Sequence, residues 1–293
     1  MKVLSLFDGM SCGQIALEKS SINVKSYVSF EIEKNANLIT LKNYPNTIQM
    51  GDVFDADFSK YKGFDLLIGG SPCTHWSISS KNRETTIEGI GFKLFKEFLR
   101  AKEESSCKFF IYENNYKIHE NIKNKITEEL GVEPVLINSS LFSAQNRNRL
   151  YWTNIPLKEL PTDKKIMVKD ILGDFNYGKD LYSEVKFIKN DICSDYYEKP
   201  LRLGFLGKGR QGERIYSIKG KSVNLTANGG GKGSKTGLYL VNGVVRKLSP
   251  VECERLQCVP DNYTEGISDN QRYKLLGNGW TVDVIAHILE GLK

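Results

Sequence analysis

Polar side chains that could do chemistry follow several predicted strands of the chain. Cys73 closes the segment at residues 69–73, and a cysteine on a loop after a buried strand would be exposed and oriented. A nearby positive charge would raise the thiolate fraction of this cysteine, and the thiolate is the nucleophile. Glu113 follows a later strand, where a carboxyl beside an apolar wall could donate or share a proton. The two residues suggest nucleophilic catalysis with an acid partner. The alternatives are a structural cysteine and a helix cap.

Two arginines precede the apolar strand predicted at residues 150–152. Arg147 and Arg149 alternate in an extended segment, so their side chains should point to the same face. Two guanidinium groups on one face can hold a phosphate or a base carbonyl. A solvated edge strand is the alternative interpretation of the same pattern.

A glycine-containing turn and three acids (Asp8, Glu31 and Asp52) at successive strand ends favour a nucleoside cofactor. Residues 7–13 (FDGMSCG) join the first predicted strand to a helix, and glycine there lets the backbone approach a ligand at a helix N-terminus. Glu31 ends the next strand and suits ribose hydroxyls. Asp52 ends the third strand and could accept a hydrogen bond from an adenine amine. Each acid alone could instead be a helix cap or a surface charge.

Strands that alternate with helices must position these side chains. The apolar pattern predicts strands at 2–7, 27–30, 47–51, 64–68 and 109–112, and helices at 35–44, 91–104 and 121–130. This alternation predicts an α/β fold with a parallel sheet and helices on both of its faces. Ligands bind beyond the carboxyl ends of such strands, which is where the polar segments lie.

The middle of the chain differs from the rest in charge and composition. The formal net charge is +6, and residues 157–244 alone hold 16 basic and 10 acidic residues. Residues 199–236 contain nine basic residues and one acid, mixed with glycine and aromatic residues. We therefore predict a small β and loop-rich domain with a phosphate-binding surface, rather than a solvated basic face. Helical pattern returns afterwards, with Ser249 as a predicted N-cap and a last helix at 281–292.

Length and composition exclude several classes of protein. A chain of 293 residues with 40% hydrophobic and 26% charged residues predicts one large or two modest globular domains. No apolar run approaches the ~18–20 residues of a membrane helix. The six cysteines form no CxxC pair and the three histidines are scattered, so neither a zinc site nor a disulfide framework is indicated. We expect a cytoplasmic protein with no metal and no membrane partner.

Taken in order, these motifs resemble the cytosine-5-specific DNA methyltransferase family, in its solitary phage and bacterial form, and are similar to the catalytic domain of de novo DNA methyltransferases. The resemblance covers the whole chain and implies a bacterial or phage-infected host cell. The matching segments are FDGMSCG (7–13), GGSPC (69–73), YEN (112–114), QNRNR (145–149), RKLSPVECERLQ (246–257) and LLGNGW (275–280). It implies a Rossmann-like, S-adenosylmethionine-dependent catalytic and cofactor-binding domain at 1–156 plus 265–293. A smaller target-recognition domain with its hinge region would occupy 157–264.

The resemblance also implies roles for individual positions. Cys73 would add to carbon 6 of cytosine, Glu113 would contact N3 and the exocyclic amine, and Arg149 and Arg147 would hold the cytosine carbonyl and steady the catalytic loop. Carbon 5 would then take the methyl group of S-adenosylmethionine. The implied cofactor residues are Phe7, Gly9, Met10, Glu31, Ile32, Asp52, Val53, Leu94 and Asn278. The implied DNA-binding residues are Ser77, Lys81, Arg83, Lys208, Arg210, Thr226, Asn228 and Lys232.

Double-stranded DNA is the expected substrate, with the target cytosine flipped out of the duplex. An RNA cytosine-5 methyltransferase of the tRNA-acting type is the alternative, because a structured RNA would suit the same basic domain. A non-catalytic nucleic-acid-binding protein is a third hypothesis, which the intact catalytic positions disfavour. The chain departs from the family pattern at Gly13, Thr74, Asn115 and Gly279.

Overall fold

The computed structural model describes residues 1–77, 82–173, 180–188 and 194–293, with the backbone but not the side chain of Cys73. The chain divides into two compact units. The first unit consists of Met1–Ile137, Asn148–Lys158 and Ile285–Lys293, and the second of Asn138–Arg147 and Glu159–Val284. Each unit has its own sheet.

The first unit is built on a seven-stranded sheet. Its strands are β1 (Lys2–Leu6), β2 (Ser26–Phe30), β3 (Ile48–Met50), β4 (Leu66–Gly69), β5 (Phe109–Asn115), β6 (Val135–Asn138) and β7 (Asn148–Thr153). They lie in the order β3-β2-β1-β4-β5-β7-β6. The five strands from β3 to β5 pair in parallel, but β7 pairs with β5 in the antiparallel direction. The predicted α/β class with a largely parallel sheet is confirmed, and β7 departs from the parallel direction at this edge.

Four helices of the first unit follow its strands in alternation. They are α1 (Cys12–Lys19), α2 (Lys34–Asn43), α3 (Ile90–Ser105) and α4 (Glu120–Leu130). Phe92, Phe95 and Phe98 form a buried face of α3 and pack in the same core as Tyr112 and Trp152. This core fixes α3 against β5, which carries one of the candidate catalytic residues.

The second unit contains a five-stranded sheet. Its strands are β8 (Lys186–Phe187), β9 (Arg202–Phe205), β10 (Arg214–Ser217), β11 (Leu238–Val241) and β12 (Val244–Arg246), in the order β12-β11-β10-β9-β8. A sheet is thus present in the part of the chain predicted to be β and loop-rich. The sheet is antiparallel except between β10 and β11, and Leu203, Ile215 and Val245 form its buried core.

Short helices complete the C-terminal part of the chain. They are α5 (Val168–Ile171), α6 (Pro250–Leu256), α7 (Asp269–Asn278) and α8 (Val282–Leu289). Ser249 is the N-cap of α6, as predicted, and forms a capping box with Glu252. Glu252 is fully buried and also binds both terminal nitrogens of Arg246, at 2.9 and 2.8 Å. Two strong polar contacts therefore fix the start of α6 at the end of β12.

Candidate active site

The turn that carries Cys73 is tied to β5. Ser71 Oγ lies 2.7 Å from the hydroxyl of Tyr112, and Asn114 Nδ2 donates to the carbonyl of Ser71 at 3.1 Å. Cys73 then begins a short 3-10 helix. Because Tyr112 and Asn114 flank Glu113 on β5, these contacts hold the backbone before Cys73 at the strand that contains the candidate acid.

Glu113 forms a buried ion pair with Arg149. Arg149 Nε lies 2.9 Å from Glu113 Oε1, and the two side chains are 9% and 11% exposed. Glu113 faces Tyr151 across the β5–β7 pair and Arg149 faces Asn115, so Glu113 and Arg149 are diagonal neighbours on one face. A buried charge depends on its partner, since removing either one leaves the other without compensation. The structure also places Glu113 inside β5, whereas the predicted strand ended one residue earlier.

Arg147 has a different environment from Arg149. It precedes β7, and its buried guanidinium donates to Asn224 Oδ1 at 2.8 Å and to the carbonyl of Leu225 at 3.3 Å. It also donates to the carbonyls of Gly277 at 3.2 Å and Gly279 at 2.9 Å. All four acceptors belong to the second unit, as Arg147 does. Arg147 thus connects two distant segments of that unit.

The turn after β1 presents its backbone to Glu31. Phe7 and Gly9 have positive φ angles of 56° and 59°. The Gly9 amide donates to Glu31 Oε2 at 2.8 Å, and the amides of Ile32 and Glu33 donate to Oε1 at 2.8 Å each. Burial raises the pKa of Glu31 although these amides favour its charged form. A carboxylate is therefore fixed at the end of β2, beside the turn.

The ends of β1, β2 and β3 fit a nucleoside-containing cofactor. A Cβ built on Gly9 would meet no atom within 4 Å, so the turn faces open space. Ile32 is 70% exposed and Phe54 is 48% exposed, although both are apolar. Asp52 caps the 3-10 helix that follows β3 by accepting from the Phe54 amide at 3.1 Å. Phe54 was not predicted as a cofactor residue. The signal that could have identified it is an apolar residue directly after Asp52-Val53.

The other predicted cofactor residues have varied positions. Met10 and Val53 are buried in the first unit. Phe7 and Leu94 are partly buried against its core. Asn278 is exposed at the last position of α7, in the second unit. Met10 and Val53 could therefore offer a ligand mainly their backbone atoms.

Two glycine-containing loops of the second unit pack together. Loop 206–213 joins β9 to β10, and loop 226–237 precedes β11. The Gly233 amide donates to the carbonyl of Gly212 at 2.7 Å, and a Cβ on Gly212 would lie 1.8 Å from the Gly230 carbonyl oxygen. The two backbones therefore touch directly. Lys208, Arg210, Asn228 and Lys232 are exposed on these loops.

Several predicted DNA-binding residues contact other protein groups, are partly buried or lie outside the described residues. Lys232 forms an exposed ion pair with Glu184. The Thr226 amide donates to the Lys235 carbonyl at 3.0 Å. Arg83 donates to a backbone carbonyl, and Ser77 is partly buried. Lys81 lies outside the described residues.

The described residues contain no group of three or more His, Cys, Asp or Glu side chains that could hold a metal ion. Within the same residues, no helix is both long enough and apolar enough to cross a membrane.

Comparison with known proteins identifies relatives along the whole chain. The type II methyltransferase M.HhaI of Haemophilus parahaemolyticus is 32% identical over 98% of this chain and 93% of its own length. The orphan methyltransferase M.SPRI of Bacillus phage SPR is 31% identical over 100% of this chain and 97% of its own.

Solved structures share the fold. The Entamoeba histolytica methyltransferase EhMeth matches with a TM-score of 0.74 at 20% identity, covering 100% of this chain and 99% of its own. The S. pombe Dnmt2 methyltransferase matches with a TM-score of 0.65 at 17% identity over the same shares. The Rossmann-like methyltransferase fold is thereby confirmed. The sequence profile of the C-5 cytosine-specific DNA methylases matches residues 1–293. The chain therefore belongs to the C-5 cytosine-specific DNA methylase family and is a DNA (cytosine-5-)-methyltransferase.

Proposed function

We propose that this enzyme methylates carbon 5 of a cytosine flipped out of double-stranded DNA, using S-adenosylmethionine and a covalent adduct to Cys73. The observation that carries the proposal is the connection between the Cys73 turn and β5, beside the buried Glu113–Arg149 pair. A nucleophile, an acid and a cation are thereby supplied by adjacent elements of one sheet. The names of the methyltransferase relatives support the same reaction.

In this proposal the protein activates the pyrimidine ring before methylation. The Cys73 thiolate forms a bond to carbon 6, and the Glu113 carboxyl shares a proton with N3 as electron density moves into the ring. Arg149 holds Glu113 in place and donates to the cytosine carbonyl. Carbon 5 becomes nucleophilic as a result. After methylation, a base removes the proton from carbon 5 and the thiolate leaves carbon 6, which restores the aromatic ring.

Residues at the ends of β1–β3 would hold the cofactor. The Glu31 carboxylate is placed for ribose hydroxyls, and Asp52 for the exocyclic amine of adenine. The exposed side chains of Ile32 and Phe54 would cover the faces of the base, and Gly9 would admit the ligand close to the backbone. When bound, S-adenosylmethionine supplies an electrophilic methyl group.

We also propose a functional division of the chain. Residues 1–156 and 265–293 would form the catalytic domain, and residues 157–264 the target-recognition domain. The exposed basic residues of loops 206–213 and 226–237 support DNA binding by the latter, because phosphate contacts dominate affinity for nucleic acids. Residues 138–147 and 265–284, although assigned here to catalysis, belong to the second structural unit.

The test is bisulfite sequencing of DNA from cells that express the wild type, Cys73→Ala or the matched control Cys107→Ala. Cys107 is a partly buried thiol after α3, outside the proposed site. We expect protected cytosines in one short sequence context for the wild type and Cys107→Ala, and none for Cys73→Ala. A purified-protein assay on a tRNA pool and a duplex runs in parallel.

Each result decides a different part of the proposal. Protection that persists in Cys73→Ala would show that Cys73 is not the nucleophile. Methylation of tRNA without methylation of duplex DNA would support the RNA alternative. Capture of the wild type, but not Cys73→Ala, on a duplex that contains 5-fluorocytosine would support the covalent adduct, since the fluorine cannot leave as a proton does.

A further inference from the structure

The carboxylate of Asp8 is surrounded by four hydroxyl groups. Ser5 Oγ and Tyr27 Oη donate to its Oδ1 at 2.5 and 2.6 Å. Ser11 Oγ donates to Oδ2, as does Ser29 Oγ at 3.1 Å. The donors come from β1, β2 and the residue before α1. Both oxygens of Asp8 are therefore used in linking three elements.

This arrangement lies within an unusual stretch of backbone. Phe7, Gly9 and Ser11 have φ angles of 56°, 59° and 60°, so three alternate residues are left-handed. Two of them carry side chains, for which this conformation is uncommon. Such a conformation persists only where the surroundings over-determine it, and this is most frequent at ligand sites. The hydroxyl contacts of Asp8 supply that constraint from the middle of the stretch.

Gly13 explains how Tyr27 reaches Asp8. A Cβ on Gly13 would lie 2.9 Å from the Tyr27 hydroxyl oxygen and 2.4 Å from Ile68 Cδ1. The second glycine of FDGMSCG, whose offset departs from the family pattern, therefore leaves space for the tyrosine between α1 and the sheet.

Burial raises the pKa of Asp8, because loss of hydration outweighs the four hydrogen bonds. Buried carboxyls with perturbed pKa values are found preferentially at functional sites.

We infer that Asp8 is a positioning residue of the cofactor site, which fixes the backbone of Phe7 and Gly9 without itself touching the ligand. Its oxygens are occupied by hydroxyls, so it acts through the turn. The direct consequence is the orientation of the Gly9 amide, which donates to Glu31. The inference rests on the proposed binding of S-adenosylmethionine at this turn.

The experiment measures the dissociation constant of S-adenosylhomocysteine by calorimetry for the wild type, Asp8→Asn and Tyr27→Phe. Asparagine replaces one acceptor oxygen with an NH2 group, and phenylalanine removes one donor while keeping the carboxylate. We expect the dissociation constant to rise about tenfold or more for Asp8→Asn and about threefold for Tyr27→Phe. The KM for S-adenosylmethionine should rise in parallel, while kcat at saturating cofactor and the KM for DNA stay within about twofold.

Ser105→Ala is the matched control. Ser105 is a fully buried hydroxyl of the same unit that donates to the Ala101 carbonyl within α3, away from the turn. It should lower the melting temperature without changing the dissociation constant. Exchange of the Gly9 amide with deuterium should be faster in Asp8→Asn than in the wild type or Ser105→Ala.

Two results would overturn the inference. One is an unchanged dissociation constant in both Asp8→Asn and Tyr27→Phe. The other is a fall in kcat with no change in cofactor KM. If Asp8→Asn does not fold, Tyr27→Phe alone decides between these outcomes. A wild type that binds S-adenosylhomocysteine but does not methylate cytosine would contradict the proposed function while leaving this comparison valid.

Discussion

At the scale of single residues, two arginines of one short motif bind different partners. Arg149 pairs with Glu113 on the β5–β7 face, whereas Arg147 binds four acceptors of the second unit. The sequence pattern predicts that both arginine side chains point to the same face, because it places both residues in one strand. Since β7 begins at Asn148, Arg147 lies before it and the alternation of strand side chains does not apply.

Lysine substitutions at these two positions should therefore have different effects. Lysine keeps the charge but loses the planar fork that binds several acceptors. Arg147→Lys should lower the free energy of unfolding by about 1–3 kcal/mol, because buried carbonyls lose their donors. Arg149→Lys should lower kcat by about 100-fold, the usual effect of losing a donor at the reacting centre. Thermal melting and single-turnover kinetics of both variants provide the measurements.

The reverse pattern would contradict this assignment. If Arg147→Lys kept its melting temperature but lost activity as Arg149→Lys does, Arg147 would act at the chemical step rather than through the second unit.

Residue types and strand ends could be predicted from the sequence, but contacts between distant segments could not. The spacing located Glu31 and Asp52 at their strand ends, because polar residues that interrupt apolar runs are a local signal. The role of Asp8 depends on Tyr27 and Ser29, which reach it from the neighbouring strand. The requirement for glycine at position 13 depends in the same way on the packing of α1 against the sheet. No pattern within a short window carries that information.

At the scale of elements, the contact between loops 206–213 and 226–237 requires glycine at position 212 but not at position 230. A Cβ on Gly212 would collide with the Gly230 carbonyl oxygen at 1.8 Å, whereas a Cβ on Gly230 would meet nothing within 4 Å. The two glycines touch each other but are not equivalent. The basic side chains of both loops depend on this contact for their relative positions.

We expect Gly212→Ala to separate the two loops. The clash is with backbone, so it should lower the free energy of unfolding by about 1–3 kcal/mol and reduce affinity for the cognate duplex by about tenfold. Gly230→Ala should change the unfolding free energy by less than about 0.5 kcal/mol. Denaturant unfolding and fluorescence anisotropy measure the two quantities. Equal effects of the two substitutions would show that the loops do not depend on the Gly212 contact.

At the scale of the whole molecule, positive charge is concentrated where nucleic acid is expected to bind. Residues 157–244 carry a charge excess equal to that of the whole chain. Lys235 donates to the Asn270 carbonyl of α7 at 3.1 Å, and Lys247 lies 5.2 Å from the ring of Tyr273 on the same helix. Lys274 is the next residue of α7. Burial, together with repulsion from Lys247 and Lys274, lowers the pKa of Lys235.

Three lysines around one helical turn repel one another, and a phosphate group would relieve that repulsion. Lys235→Gln should therefore weaken DNA binding and make the slope of log Kobs against log salt shallower by about one. Lys219→Gln is the control, because Lys219 is already paired with Asp195 at 2.6 Å and should leave the slope unchanged. Salt titrations of duplex binding that give equal slopes for both variants would show that this cluster does not contact phosphate.

The pKa of Lys235 also predicts how stability depends on pH. A folded pKa below the ordinary 10.5 means that the Lys235 ammonium costs stability at neutral pH. The wild type should thus gain stability relative to Lys235→Gln as the pH rises towards 10.5.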